Sequence, residues 1–202
     1  SLSLTDGKVL GANPKVTNVK RQSVDQTIPS PFYKKSEVKD QYNELRLDFK
    51  GNYGLVLRAY DEGVAYRFTT KMKDSICITN EEATFRFAKD YKTFSNFVNS
   101  TAPTIEEQFF NSFETTYVNE PITKINDKRL KILPLMVDLE GGNKMVITEA
   151  DLEDYPGMYL NNSTEQPLLQ AIHAPYPKVT EQGGPNRLLA PVKERENYIA
   201  KV

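Results

Sequence analysis

Leu45-Arg46-Leu47-Asp48-Phe49, Gly51-Asn52, Leu55-Val56-Leu57-Arg58-Ala59-Tyr60, Asp61-Glu62-Gly63 and Val64-Ala65-Tyr66-Arg67-Phe68 follow one another with little between them. Leu45, Leu47 and Phe49 alternate with Arg46 and Asp48, the period of two that puts successive side chains on opposite faces of a strand. Leu55, Leu57 and Ala59 repeat that alternation, and so do Val64, Tyr66 and Phe68. Short glycine-bearing breaks separate the runs, as in tight hairpins. The stretch therefore predicts three antiparallel strands in a row.

Working outward, the same signals continue. Ile76 to Ile78 and Thr84 to Phe87 predict further strands, and Tyr198 to Val202 predicts another. Ile132 to Leu139 and Lys144 to Thr148 flank Glu140-Gly141-Gly142-Asn143, a second hairpin pattern. Residues 1 to about 30 are weakly patterned. Pro175 to Pro191 is rich in Pro, Gly, Gln and Asn and predicts an exposed excursion. Thr104-Ile105-Glu106-Glu107 has the form of a capping box opening a short helix through Phe113. A β-rich loop packed by the same aromatics fits that segment equally. The fold class is mostly β: a large antiparallel β-sandwich with few short helices, forming one domain over 1–202.

Composition narrows the function. The 202 residues carry 26 basic and 27 acidic side chains, a net charge of −1, with 39% apolar content. That is enough apolar residue for a core, and there is no basic excess to neutralise phosphates, so nucleic acid is excluded as a partner. No apolar run is long enough for a membrane span. Cys77 is the only cysteine, so no disulfide forms within the chain; between Ile76 and Ile78 it reads as a small buried apolar residue. His173 is the only histidine, which rules out a two-histidine metal motif. Asn99-Ser100-Thr101 and Asn162-Ser163-Thr164 match the glycosylation triplet, a pattern common by chance.

The chemistry-bearing stretch is Met145-Val146-Ile147-Thr148-Glu149-Ala150-Asp151-Leu152-Glu153-Asp154-Tyr155-Pro156-Gly157-Met158-Tyr159-Leu160. A strand runs into an acidic cluster, a Pro-Gly turn follows, and an aromatic strand leaves. If the first strand persists to Asp151, Glu149 and Asp151 point to one side. Carboxylates so placed are hard oxygen donors of the kind calcium accepts, although calcium takes six to eight oxygens and this cluster offers two or three. A solvated acidic turn explains the same residues.

The segment Val146 to Leu152, followed by Tyr155 to Leu160, resembles the signature of the amino-terminal domain of glycoside hydrolase family 97. Tyr42-Asn43-Glu44-Leu45 and Tyr60 to Phe68 resemble that domain's central strand and hairpin, and Arg195-Glu196-Asn197-Tyr198-Ile199-Ala200 resembles the segment before the catalytic barrel. The opening residues carry no such likeness, and the family's first strands are expected to be missing. The resemblance implies a non-catalytic β-supersandwich that packs on a (β/α)8 barrel, with the catalytic carboxylates on that barrel. It implies hydrolysis of α-glucosides or α-galactosides by the whole enzyme, with this chain alone inactive. It also implies an active-site calcium that takes one ligand from this domain, which by motif is Glu149; Asp151 is a weaker candidate. Oligosaccharide substrate, a bacterial periplasmic or cell-envelope location and weak or no calcium binding by the isolated chain are further expectations. The surface meant for the barrel is expected to pair with another copy as a homodimer of the fragment. The competing readings are a stand-alone carbohydrate-binding module, which lacks any Trp platform here, and a structural interaction module.

Overall fold

The computed structural model describes residues 1–98, 102–110, 114–125, 128–181 and 191–202. The chain is mostly β, arranged as several antiparallel sheets, and it divides into two compact units, Leu10–Ser75 and the remainder.

The smaller unit holds the stretch that opened the sequence reading. Strands β3 (Val16–Pro29), β4 (Glu37–Phe49), β5 (Tyr53–Tyr60) and β6 (Gly63–Thr70) pair in that order. The turn between β4 and β5 places Gly51 and Asn52 at φ 107° and 60°, the left-handed region glycine and asparagine tolerate best. Register sets Leu45 opposite Leu57 and Leu57 opposite Tyr66, so the alternating apolar residues share one face. The weakly patterned opening is corrected here: β3 is a fourteen-residue strand. It escaped the sequence reading because its residues are nearly all exposed, so neither face needs to be apolar. It is held by the backbone ladder to β4 and by a row of polar pairs across it. Gln22 bonds Glu44 at 3.0 Å, Ser23 bonds Asn43 at 2.6 Å and Gln26 bonds Asp40 at 2.8 Å.

The larger unit carries the core. β1 (Leu2–Leu4) pairs with β7 (Cys77–Glu81), which also pairs with β17 (Ala200–Lys201). A second sheet runs β10 (Val118–Pro121), β9 (Lys92–Ser95), β11 (Leu135–Asp138), β12 (Lys144–Ile147). A third runs β13 (Met158–Asn161), β14 (Leu168–His173), β8 (Thr84–Arg86). Leu135, Val137 and Ile147 of the second sheet cluster with Leu160 and Leu169 of the third, together with Ile122 and Ile125. Each such side chain contributes about 1.5–3 kcal/mol by leaving water, which makes this the main cohesive contact of the unit. The predicted β11–β12 hairpin is present, with Leu135 opposite Ile147 and Lys144 Nζ 2.6 Å from Asp138 Oδ1.

Other expectations fare unevenly. The capping box is present, Glu107 N–H donating to Thr104 Oγ1, but the helix spans only Ile105–Gln108; Phe113 lies outside the described residues. Cys77 is half-buried rather than buried, because β7 turns Ile78 inward instead. The ends of the predicted excursion pair as β15 (Pro177–Thr180) and β16 (Val192–Arg195), and 182–190 lie outside the described residues. Asn99 likewise lies outside them. Asn162 is buried and its amide donates to the Ile122 and Gln166 carbonyls, so it is a structural turn residue rather than an acceptor for sugar.

Candidate functional site

β12 ends at Ile147, two residues short of Glu149. The strand does not persist to Asp151. Asp151 takes φ 59° and Asp154 φ 49°, so the acidic cluster is a bent turn, not a strand tip with two carboxylates on one side. The reason is local: short acidic side chains tolerate the left-handed region, and the Tyr155-Pro156-Gly157 turn must return the chain into β13.

Glu149 is half-buried at the edge of a concavity of about 270 Å³, shared with Ile132, Leu133, Pro156, Gly157, Met158 and Tyr159. The backbone N–H of Met158 donates to Glu149 Oε2 at 2.8 Å. Oε2 also lies against Gly157, where an added Cβ would stand 3.9 Å away. No described residue donates to Oε1. One oxygen is thus fixed by the turn, and the other is the one an outside ligand could use. Burial pushes the Glu149 carboxyl above its ordinary range; the Met158 N–H pulls it down, and the nearby Glu81 carboxylate pushes it up. A cation would reverse that balance by favouring the charged form.

Behind this turn stand Tyr155, His173 and a residue the sequence reading did not name, Glu81. Tyr155 Oη donates to Glu81 Oε2 at 2.7 Å, and its ring meets the His173 ring edge-on at 5.9 Å. His173 is the register partner of Met158 in the β13–β14 ladder. Glu81 ends β7, and no sequence signal ties it to a turn 74 residues away. His173 is nine-tenths buried, its Nδ1 has no hydrogen-bond partner among the described residues, and burial lowers its pKa against the pull of Glu81.

The sign of that last shift gives a pH prediction. A histidine that is harder to protonate when folded loses stability as pH falls below its ordinary value of about 6.5, because the unfolded chain binds the proton more readily. The raised Glu149 carboxyl acts the other way: it favours the folded state below about pH 4.5 and loses that contribution as pH rises past it. Urea midpoints measured from pH 7.5 to 5.5 should fall for the native chain and fall much less for His173→Gln. Parallel curves would show that His173 is not the titrating group.

The donor set fits calcium in part. A carboxylate oxygen is the right chemistry, and calcium needs six to eight such oxygens. Among the described residues no group of three or more His, Cys, Asp or Glu side chains could hold a metal ion. Glu149 is thus a single carboxylate of suitable chemistry, with no such group gathered around it among the described residues.

The sequence model of the family described as "Glycosyl-hydrolase 97 N-terminal" matches residues 1–191. The chain belongs to glycoside hydrolase family 97. The match starts at the first residue, so the opening segment belongs to the family domain although it carries no recognisable motif. The motif at Arg195 to Ala200 lies past the matched span. It is covered by a relative that is 46% identical over an alignment of 203 positions taking in the whole of this chain: a retaining alpha-galactosidase of Bacteroides thetaiotaomicron. This family 97 domain spans 31% of that relative's length. Among solved structures, a family 97 enzyme from Pseudoalteromonas sp. strain K8, in complex with acarbose, superposes with a TM-score of 0.64 at 25% identity. That match covers 81% of this chain and 24% of the other. A beta-arabinopyranosidase superposes with a TM-score of 0.70 at 21% identity, over 94% of this chain and 31% of the other, a likeness of fold alone.

Proposed function

We propose that this domain is the non-catalytic wall of a composite α-glycosidase active site, packing on a catalytic barrel and presenting Glu149 Oε1 to a calcium ion held mainly by that barrel. The observation that carries the reading is the Glu149 geometry: one carboxylate oxygen fixed by the Met158 N–H, the other without a described donor, both at the rim of an open concavity. The 46% identical relative is an alpha-galactosidase, which favours an α-galactoside as the oligosaccharide substrate over an α-glucoside. A calcium shared between two domains orients the substrate and stabilises charge developing at a reacting oxygen. This chain's own part is to hold a ligand oxygen in place and to help exclude water around it. Export to the periplasm or cell envelope belongs to the same reading.

The test is Glu149→Gln in the enzyme that contains this domain. Calorimetric titration of the chelator-stripped protein should show calcium bound about tenfold more weakly or worse, roughly 1.4 kcal/mol or more of binding energy. Hydrolysis of α-galactosides at limiting calcium should fall in parallel. A variant with native calcium affinity and native kinetics sinks the assignment.

A further inference from the structure

The Glu149 carboxylate is oriented by a turn rather than by a regular strand, and such a turn needs an anchor if it is to hold one oxygen to within a fraction of an ångström. Asp154 sits at positive φ immediately before Tyr155, so the segment is not held by ladder hydrogen bonds. Three residues later the Met158 N–H holds Oε2. Between these points the side chain of Tyr155 reaches back to β7 and bonds Glu81 at 2.7 Å, while its ring rests edge-on against His173 on β14. Because His173 is the register partner of Met158, the ring contact and the N–H that holds Glu149 belong to one rigid pair of strands. A hydroxyl bonded to a carboxylate is among the stronger neutral-to-charged links a side chain makes. Glu81 on β7 and His173 on β14 thus hold, through Tyr155, the one turn that aims Glu149.

Resting on the calcium reading above, we propose that Tyr155, tied to Glu81 and braced by His173, is a positioning residue that sets the direction in which Glu149 presents its free oxygen to the ion. Loss of the hydroxyl leaves the ring contact in place and frees the turn to rotate, carrying the Met158 N–H and the Glu149 carboxylate with it.

Outer-shell partners of metal ligands typically alter affinity by 10–100-fold, and Tyr155 acts one step further out through the turn. In the whole enzyme, stripped of metal and titrated with calcium by calorimetry, Tyr155→Phe should therefore weaken binding about three- to tenfold. The same substitution made in the Glu149→Gln background should add nothing. Glu81→Ala removes the other end of the same bond and should give a shift of the same size. It is the variant to read if Tyr155→Phe does not fold. A lower Tm with unchanged calcium affinity would make Tyr155 structural only and overturn the inference. So would a Tyr155→Phe shift that persists undiminished in the Glu149→Gln background. Should Glu149→Gln itself leave calcium affinity unchanged, the calcium reading fails first and the positioning role fails with it.

Discussion

Lys131→Ala should destabilise the larger unit by about 3–5 kcal/mol, the usual cost of leaving one member of a buried ion pair alone. Lys131 has no exposed surface, and its Nζ lies 2.8 Å from Glu120 Oε1, whose side chain is 18% exposed. The approach meets the distance of an ion pair but not the angles of a directed hydrogen bond. The ammonium also sits 3.5 Å from the centre of the Phe97 ring, and burial lowers its pKa against the pull of Glu120. Its backbone bridges Phe97 and Leu160, at the heart of the packed sheets. Removing the cation leaves the Glu120 carboxylate mostly buried, with Arg129 as a remaining positive charge that interacts with it. Urea unfolding followed by circular dichroism measures the loss. The double variant Lys131→Met, Glu120→Gln should recover most of it, because no charge is then left stranded. A single-variant loss below about 1 kcal/mol would mean that water reaches the pair in solution.

Gly54→Ala should cost about 1–3 kcal/mol, towards the upper end of what overpacking a well-filled site costs. An added Cβ at Gly54 would stand 2.7 Å from the Leu47 carbonyl oxygen and 3.0 Å from Thr69 Oγ1. The threonine hydroxyl can rotate away. The carbonyl belongs to the β4 backbone and cannot move without disturbing the ladder that pairs Asp48 with Gly54. Gly63, at the start of β6, is the control: nothing lies within 4 Å of its built Cβ. Gly63→Ala should be neutral or stabilise by up to about 1 kcal/mol through the unfolded chain. Equal melting temperatures for the two alanine variants would show that β4 and β5 relax apart at Gly54.

The turn that carries Glu149 shows how far the sequence reading reaches. The motif from Val146 to Leu160 pointed to Glu149 and to oxygen-donor chemistry, the reading that the proposed function carries forward. It put Glu149 and Asp151 on one strand face, because alternation is assumed to continue until a glycine or proline breaks it. The strand ended earlier, at Ile147, and Asp151 then takes a positive φ that an aspartate can adopt as well as a glycine. Cys77 misled for a related reason: its flanking isoleucines suggested burial, but successive strand residues point to opposite faces, and it is Ile78 that is buried while Cys77 is half-buried. β3 was missed outright, since a strand exposed on both faces leaves no hydrophobic period to read.

Period-two alternation at Leu45 to Phe68, and the glycine-bearing breaks between runs, were enough by themselves to establish a β-rich chain and its hairpins, because those features act over two to ten residues of backbone. Pairing over long separations was settled only by the tertiary structure. Lys131 gained its buried partner, and Tyr155 its tether to Glu81 across 74 residues, when strands distant in sequence packed together. Such contacts depend on where a side chain arrives after folding, and no local pattern encodes that destination.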